Sequence, residues 1–453
     1  MKTNLITLLI FASTMASAQM DTTASFSKIP FDDMDLSWQN GNDRRKSSVL
    51  QNKYFTGSVI LDVNYTYSFS NPIDNTVVGS TALARNNEMQ VSFAGIGGEF
   101  NYKGARAKIN TQFGTRSTVV PRNDYSPYRG QYNLQNVYRY LSEAYAGYHF
   151  DKWYGINIDF GMFMSYIGLN SYYQVENWEY QASFTSDNTP WFFNGMRIQI
   201  FPTKKLKIEP WIINGWQSYG RFNEMPGLGI NLTWCPTEAI KMLTNNYYGS
   251  DAAGIPSRKR FHSDNSLLIR YYNKPYNKLV SRMAFSLTGD IGFEKGGGVN
   301  GFKSDATLGP EQNFVSGMFY NRMWFNKNKI AWTLGGGYMT NPGRYLVLYP
   351  TGDASPLPNS TNPTQPEGTH PFSANPGDQF SGWDWSTNIS YLPNQSIEFR
   401  IEYVHRESSV PYFAGKGGVT SPNGYTTNPI PSDWKPDLIK WEDRLIFAVL
   451  FRL

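Results

Sequence analysis

The chain has 453 residues, of which 40% are hydrophobic, 16% aromatic and 17% charged, and its mean hydropathy is -0.46. That length suits two or three ordinary domains or one large barrel, and the hydropathy excludes a bundle of membrane helices. The formal net charge of +5 is spread along the chain. With no basic stripe it argues against a nucleic-acid partner; net charge does not decide ion selectivity, since loop charges count in the sum, and weak or no strong selectivity is expected.

Residues 1–18 read as a secretory signal. Lys2 supplies the charge, Leu5 to Phe11 a short apolar run, and Ala16-Ser17-Ala18 a small-residue cleavage site before Gln19. The run is too short for a membrane anchor, which needs ~20 apolar residues. Residues 19–52 form a polar lead-in, expected to lie at the periplasmic side or tucked into a barrel mouth. It is too short for the plug domain of a gated transporter. The domain from 53 to 453 is built from repeated strand-like segments of roughly 9–15 residues, the length a tilted transmembrane strand needs or slightly more.

Phe55 to Phe69 gives the clearest pattern. Phe55, Gly57, Val59, Leu61, Val63, Tyr65, Tyr67 and Phe69 alternate with Thr56, Ser58, Ile60, Asp62, Asn64, Thr66 and Ser68. Side chains on a strand point to opposite faces in turn, so one face is apolar and the other mostly polar. The same parity recurs in chain order. Ala105, Ala107 and Ile109 oppose Arg106, Lys108 and Asn110. Ile156, Ile158 and Phe160 oppose Asn157 and Asp159. Leu228, Ile230, Leu232 and Trp234 oppose Asn231 and Thr233. Met283, Phe285, Leu287 and Ile291 oppose Arg282, Ser286, Thr288 and Asp290. Trp383 and Trp385 oppose Asp384 and Ser386, and Ile397, Phe399 and Ile401 oppose Glu398, Arg400 and Glu402. The last strand carries Leu445, Phe447, Val449, Phe451 and Leu453 on one face and is expected to pair with the first. Less regular strands are predicted over 88–102, 138–150, 191–201, 205–216, 237–248, 265–274, 313–326 and 329–340.

About sixteen strands result, within a range of 14–18, joined by hairpins. The fold class is therefore all-β, a closed antiparallel transmembrane barrel in which no strand edge faces lipid. Short connections such as Pro202-Thr203-Lys204 and Asn326-Lys327-Asn328 read as periplasmic turns. The long Pro- and Gly-rich stretches 342–379 and 409–437 read as extracellular loops, and these two are the expected narrowing elements.

Several local strings are similar to a known family. They include Ser390-Tyr391-Leu392-Pro393-Asn394-Gln395, Phe399 to Arg406, and Val410-Pro411-Tyr412-Phe413-Ala414-Gly415. Glu143-Ala144-Tyr145, Gly161 to Gly168, Glu176-Asn177-Trp178-Glu179-Tyr180 and Asn341-Pro342-Gly343-Arg344-Tyr345-Leu346 point the same way. The chain resembles the OmpL-like beta-barrel porins of Bacteroidetes from about residue 50 onward. The resemblance implies an outer-membrane barrel and passive transport. One departure is the last residue, Leu453, where many such barrels end on Phe.

Charge on a lipid face at midplane costs roughly 2–4 kcal/mol for Lys or Arg. Arg106, Lys108, Asp159, Arg282, Asp290, Glu398, Arg400 and Glu402 are therefore the pore-lining candidates, and ion pairing across neighbouring strands is the alternative role. Glu176, Arg344, Arg406 and Tyr412 are the loop or constriction candidates. Trp178 and Glu179 extend the first of these as a lumen-inserted turn.

The histidines, His149, His262, His370 and His405, show no metal-ligand spacing. No metal, cofactor or catalytic group is assigned, and no enzyme activity is expected. Cys235 is the only cysteine and reads as a small residue near a strand end. The expected partners are outer-membrane lipid and small hydrophilic solutes, with monomer and homotrimer both open. The rival function is a surface binding or adhesion module working through the long loops.

Overall fold

The period-2 pattern becomes a closed wall. In the computed structural model, which describes residues 28–45, 48–342, 379–425, 431 and 433–453, the first patterned segment forms β1 (Phe55–Ser68). It is followed by β2 (Met89–Tyr102), β3 (Ala105–Thr111), β4 (Leu141–Phe150), β5 (Ile156–Met164), β6 (Phe192–Thr203) and β7 (Leu206–Ile213). Next come β8 (Gly227–Thr237), β9 (Ile240–Gly249), β10 (Lys259–Asn273), β11 (Val280–Gly296) and the two-residue β12 (Val299–Asn300). The wall continues with β13 (Asn313–Phe325), β14 (Ile330–Thr340), β15 (Ser381–Asn394), β16 (Ile397–Ser408) and β19 (Trp441–Arg452). A small ribbon, β17 (Phe413–Ala414) with β18 (Leu438–Ile439), lies between β16 and β19.

The main sheet holds 17 strands, and apart from the short β12 it is a sixteen-stranded antiparallel meander. Closure is by β1 against β19, with Leu61 opposite Phe451 and Tyr65 opposite Phe447. Val59 and Leu453 exchange backbone hydrogen bonds at 3.1 and 2.9 Å. The predicted pairing of first and last strands is thus present, and all sixteen predicted strands have a counterpart. Among the described residues no helix is long and apolar enough to cross a membrane. The signal reading for residues 1–18 lies outside the described residues.

Parity decides the two faces. On β1 the even residues Ile60, Asp62, Asn64, Thr66 and Ser68 are buried inside, and Leu61 on the odd face is exposed. Ile96, Phe160, Leu287, Ile389 and Phe447 likewise stand on the outer surface. Such an outer band is what an apolar bilayer core requires. Aromatic pairs bridge neighbouring strands there, as in Phe55 with Phe100 at 4.6 Å and Trp385 with Tyr403 at 5.2 Å between ring centroids.

The two barrel ends differ. Strands meet through tight turns at one end, among them Lys103-Gly104, where both residues adopt positive φ. At the other end, long connections leave β1, β3, β5, β7, β9, β11, β14 and β16. One of these, residues 165–191 between β5 and β6, folds back into the barrel. Its Tyr166, Ile167, Leu169, Tyr172, Tyr173, Trp178, Tyr180 and Phe184 are all buried. The apolar content of this inner loop explains its position, because eight large side chains left in water would forfeit roughly 1.5–3 kcal/mol each.

The leading segment, residues 28–45, enters from the turn end and meets the tip of the inner loop. Trp38 is fully buried between them and the wall. Gly41 has φ +67°, and a Cβ there would lie 1.8 Å from the Leu169 carbonyl oxygen. Only glycine lets the two backbones approach so closely.

Candidate functional site

An irregular loop inside a barrel must find partners for its peptide groups, and here the barrel wall supplies them. The Glu402 carboxyl accepts from Tyr180 N at 2.7 Å and Gln181 N at 2.8 Å. Asp384 accepts from Phe184 N at 2.8 Å and from the Ser183 hydroxyl at 2.9 Å. The Trp178 carbonyl takes bonds from Arg322 at 2.8 Å and Asn388 at 3.0 Å. Arg400 donates to Asn177 O at 2.8 Å. On the same wall, Arg406 and Arg444 donate to the Gly79 and Val78 carbonyls of the β1–β2 loop. Asp187 ties that loop to the inner one, accepting from the Thr81 hydroxyl at 2.7 Å.

The leading segment locks the other side of the loop tip. Arg44 donates to Val175 O at 2.7 Å and Glu176 O at 2.8 Å, and it pairs with Glu398 at 2.9 Å. Asn40 accepts from Trp178 N at 2.8 Å, and Trp38 Nε1 donates to Glu238 O at 2.9 Å. Asp35 meets Arg282 at 2.7 Å and Arg270 at 3.3 Å. Burial pushes the Asp35 carboxyl up, but Ser37, Arg282 and Arg270 outweigh it and hold it below the usual carboxylate range. Asp43 is held low in the same way, by Arg45 and Arg452 against the opposing effect of burial. A cavity of about 530 Å³ opens at this turn end, bordered by Asp43, Arg44, Glu176, Lys329 and Arg452.

The opposite wall is arranged differently. On β3 to β7 the ionic side chains pair mainly with one another, and the inner loop reaches this wall through Tyr173, whose hydroxyl donates to Glu143 at 2.9 Å. Asp159 bridges Arg106 at 3.4 Å and Arg197 at 3.1 Å. Lys108 meets Glu143 at 2.7 Å, and Lys207 meets Glu209 at 3.1 Å. The Arg197 guanidinium lies 4.6 Å from the Tyr145 ring centroid and 4.5 Å from that of Phe163, a cation–π placement that fixes its direction.

The predicted pore-lining residues therefore fall into four places. Arg106, Lys108 and Asp159 come together on the β3–β5 wall. Glu398, Arg400 and Glu402 also face inward, yet they are covered by the inner loop and the leading segment and bind those segments. Arg282 is inward and holds Asp35. Asp290 stands directly opposite Asp264 in the β10–β11 register, with His262 at 3.7 Å.

Two expectations are corrected. Arg406 is not a loop residue: it lies on β16, points inward and stacks 3.9 Å over the Phe184 ring. Among the described residues the longest segment inside the barrel is 165–191, with the expected turn at Glu176, Trp178 and Glu179 at its tip, rather than 409–437. Within 409–437, Tyr412 and Phe413 are fully buried and pack against Phe184 of the inner loop, Tyr412 also against Phe380. Stretch 342–379 and its Arg344 lie, apart from the end residues 342 and 379, outside the described residues.

Arg197, Arg322, Asp384 and Arg444 were not singled out. Each has the inward parity of its strand, so period 2 carried the signal, but the partner that each one meets is distant in sequence.

A family model described as "Putative beta-barrel porin-2, OmpL-like" matches residues 54–430. No curated protein matches the chain. Among solved structures, the chain is similar to the outer membrane channel DcaP of Acinetobacter baumannii, at 10% identity and a TM-score of 0.48, covering 89% of this chain and 100% of that one. It is also similar to OmpT of Vibrio cholerae, at 8% identity and TM-score 0.46 over 90% and 100% of the two chains. OprB of Pseudomonas putida matches at 8% identity and TM-score 0.47 over 88% and 94%.

Proposed function

This chain belongs to the OmpL-like beta-barrel porin-2 family, and from that premise we propose where its solutes pass. It is an outer-membrane porin, a sixteen-stranded barrel for passive diffusion of small hydrophilic solutes. The path runs beside the inner loop, along the wall of β3 to β7. Its tight turns face the periplasm and its long loops the exterior, as in barrels of this kind.

One observation carries this reading. The inward side chains of β16, from Glu398 to Ser408, are all buried beneath the inner loop and its neighbours. Arg106, Lys108, Arg197 and Lys207 on the other wall keep part of their surface open inside the same barrel. In this reading loop 165–191 divides the lumen: it covers the inward face of β16 and, though Tyr166 and Tyr173 touch Trp211 and Glu143, it leaves those four cations part open, and diffusion through a polar passage needs no moving part or bound group.

Residues 1–18 serve as the export signal in this reading, and the apolar outer wall allows a homotrimer. Cross-linked protein from native membranes migrating at three chain masses supports the trimer, and migration at one mass refutes it. The function itself is tested in planar bilayers. Purified, folded protein gives discrete single-channel steps that scale with salt concentration. A folded barrel that passes no current refutes the porin reading and favours a surface-binding role for the loops.

A further inference from the structure

Ion pairs on the β3–β7 wall are not symmetric with respect to the lumen. In each pair the acid is the more deeply covered partner. Asp159 has a side chain that is 0% exposed, against 11% for Arg106 and 13% for Arg197. Glu143 stands at 8% against 23% for Lys108, and Glu209 at 3% against 20% for Lys207. The acids are also engaged by neutral donors, in one case from the inner loop itself. Glu143 accepts from Tyr173 Oη at 2.9 Å and Asn110 at 3.1 Å, and Glu209 from Gln199 at 2.6 Å and Trp211 Nε1 at 3.1 Å.

Charge that a solute meets is therefore not the sum over the wall. A carboxylate set into the wall, with its lone pairs engaged by donors, is met only through its partner. The ammonium and guanidinium heads reach the water directly. A cleft with low-dielectric sides focuses such a field and concentrates the opposite ion. The register makes the cations contiguous: Lys108 stands opposite Tyr145, Asp159 opposite both Gly147 and Arg197, and Arg106 opposite Gly147. Tyr145 sits among them, with Arg106 at 5.9 Å and Arg197 at 4.6 Å from its ring. One acid of the group departs from the pattern. Glu99 is 36% exposed and pairs with Arg106 at 3.3 Å, near the turn-end mouth of the row.

We infer that Arg106, Lys108, Arg197 and Lys207 form a continuous cationic face along the passage, and that the porin favours small anions, inorganic or carboxylate, over cations. The inference rests on the passage assigned above, and it departs from the weak selectivity expected from the sequence. A focused cationic wall enriches anions by a factor of ten or more at the strong end. The divided wall here, with its acids close behind, places the expected chloride-to-potassium permeability ratio lower, at roughly 2 to 5.

The test is the reversal potential of the full-length mature protein in planar bilayers under a potassium chloride gradient. Wild type should show chloride as the more permeant ion. Lys108→Gln combined with Lys207→Gln should keep the current and bring the ratio towards one. Glu99→Gln, which leaves every cation in place, should raise it. A potassium-preferring or unselective wild type overturns the inference while leaving the porin reading intact, as does an unchanged ratio in both variants. Absence of any current overturns the porin reading and this inference with it. Folding of each variant is checked by the heat-dependent change in gel mobility of the barrel.

Discussion

Glu402 offers the most direct test of how the inner loop is held. Its carboxyl is fully buried and accepts two loop N–H groups, from Tyr180 at 2.7 Å and Gln181 at 2.8 Å. Asn388 also donates to it at 3.0 Å but has a second acceptor in the Trp178 carbonyl. Glu402→Ala therefore strands two buried backbone donors. Each unsatisfied donor costs about 1–3 kcal/mol, so the loop is destabilised by about 2–6 kcal/mol. Glu402→Gln keeps one accepting oxygen and sets an NH2 against the other N–H, so its cost is about half as large. Asp384 still holds Phe184 N and Ser183, so the loop loosens around Tyr180 without leaving the barrel. The measurement is paired: urea unfolding of the detergent-solubilised barrel, and single-channel current. The expected order of stability is wild type, then Glu402→Gln, then Glu402→Ala, with current noise rising in the same order. Unchanged stability and unchanged noise in Glu402→Ala would refute the idea that wall carboxyls carry the loop.

Other predictions concern the leading segment and the outer wall. Arg44→Ala leaves the Val175 carbonyl without its donor and the Glu176 carbonyl with only the Gly41 N–H at 3.2 Å. It should weaken the docking of residues 28–45 by about 1–3 kcal/mol, read as faster limited proteolysis of that segment. The same docking should be acid-sensitive. Asp35 and Asp43 are held below their ordinary value of 3.8 when docked, so their contribution is complete above that value and is lost as pH falls through the lower, docked value. Proteolysis of the segment should therefore be flat from neutral pH down to about pH 4 and accelerate only below it; acceleration already at neutral pH would contradict the assignment. Leu287 is exposed on the outer wall, and Leu287→Arg should cost about 2–4 kcal/mol if that position lies at the bilayer midplane, measured as the urea midpoint for insertion into lipid vesicles.

Much of this architecture is legible without coordinates because its rule is local. A residue two places along a strand returns to the same face, so Asp62 and Asn64 are placed inside by their neighbours alone. The same holds for Arg400 and Glu402, and for the lipid-facing Phe399 and Ile401. The strand count, the closure of β1 on β19 and the inward direction of the eight predicted wall charges all follow from that rule and from the need to leave no strand edge open. Loop identity does not follow from it. Composition marks the long Pro-rich stretches, yet among the described residues the segment held inside the barrel is 165–191, dense in aromatic residues.

What only the tertiary structure decided is which partner each inward polar side chain meets. Glu402 meets Tyr180 across 222 residues of sequence, and Arg44 meets Glu398 across 354. No local pattern encodes such a meeting. Period 2 states that a side chain points inward, but not what stands there when it arrives. On β16 it is the backbone of the inner loop, which turns charged residues into structural acceptors and donors. On β3 to β7 the same residue types pair chiefly with one another, and Arg106, Lys108, Arg197 and Lys207 keep part of their surface open.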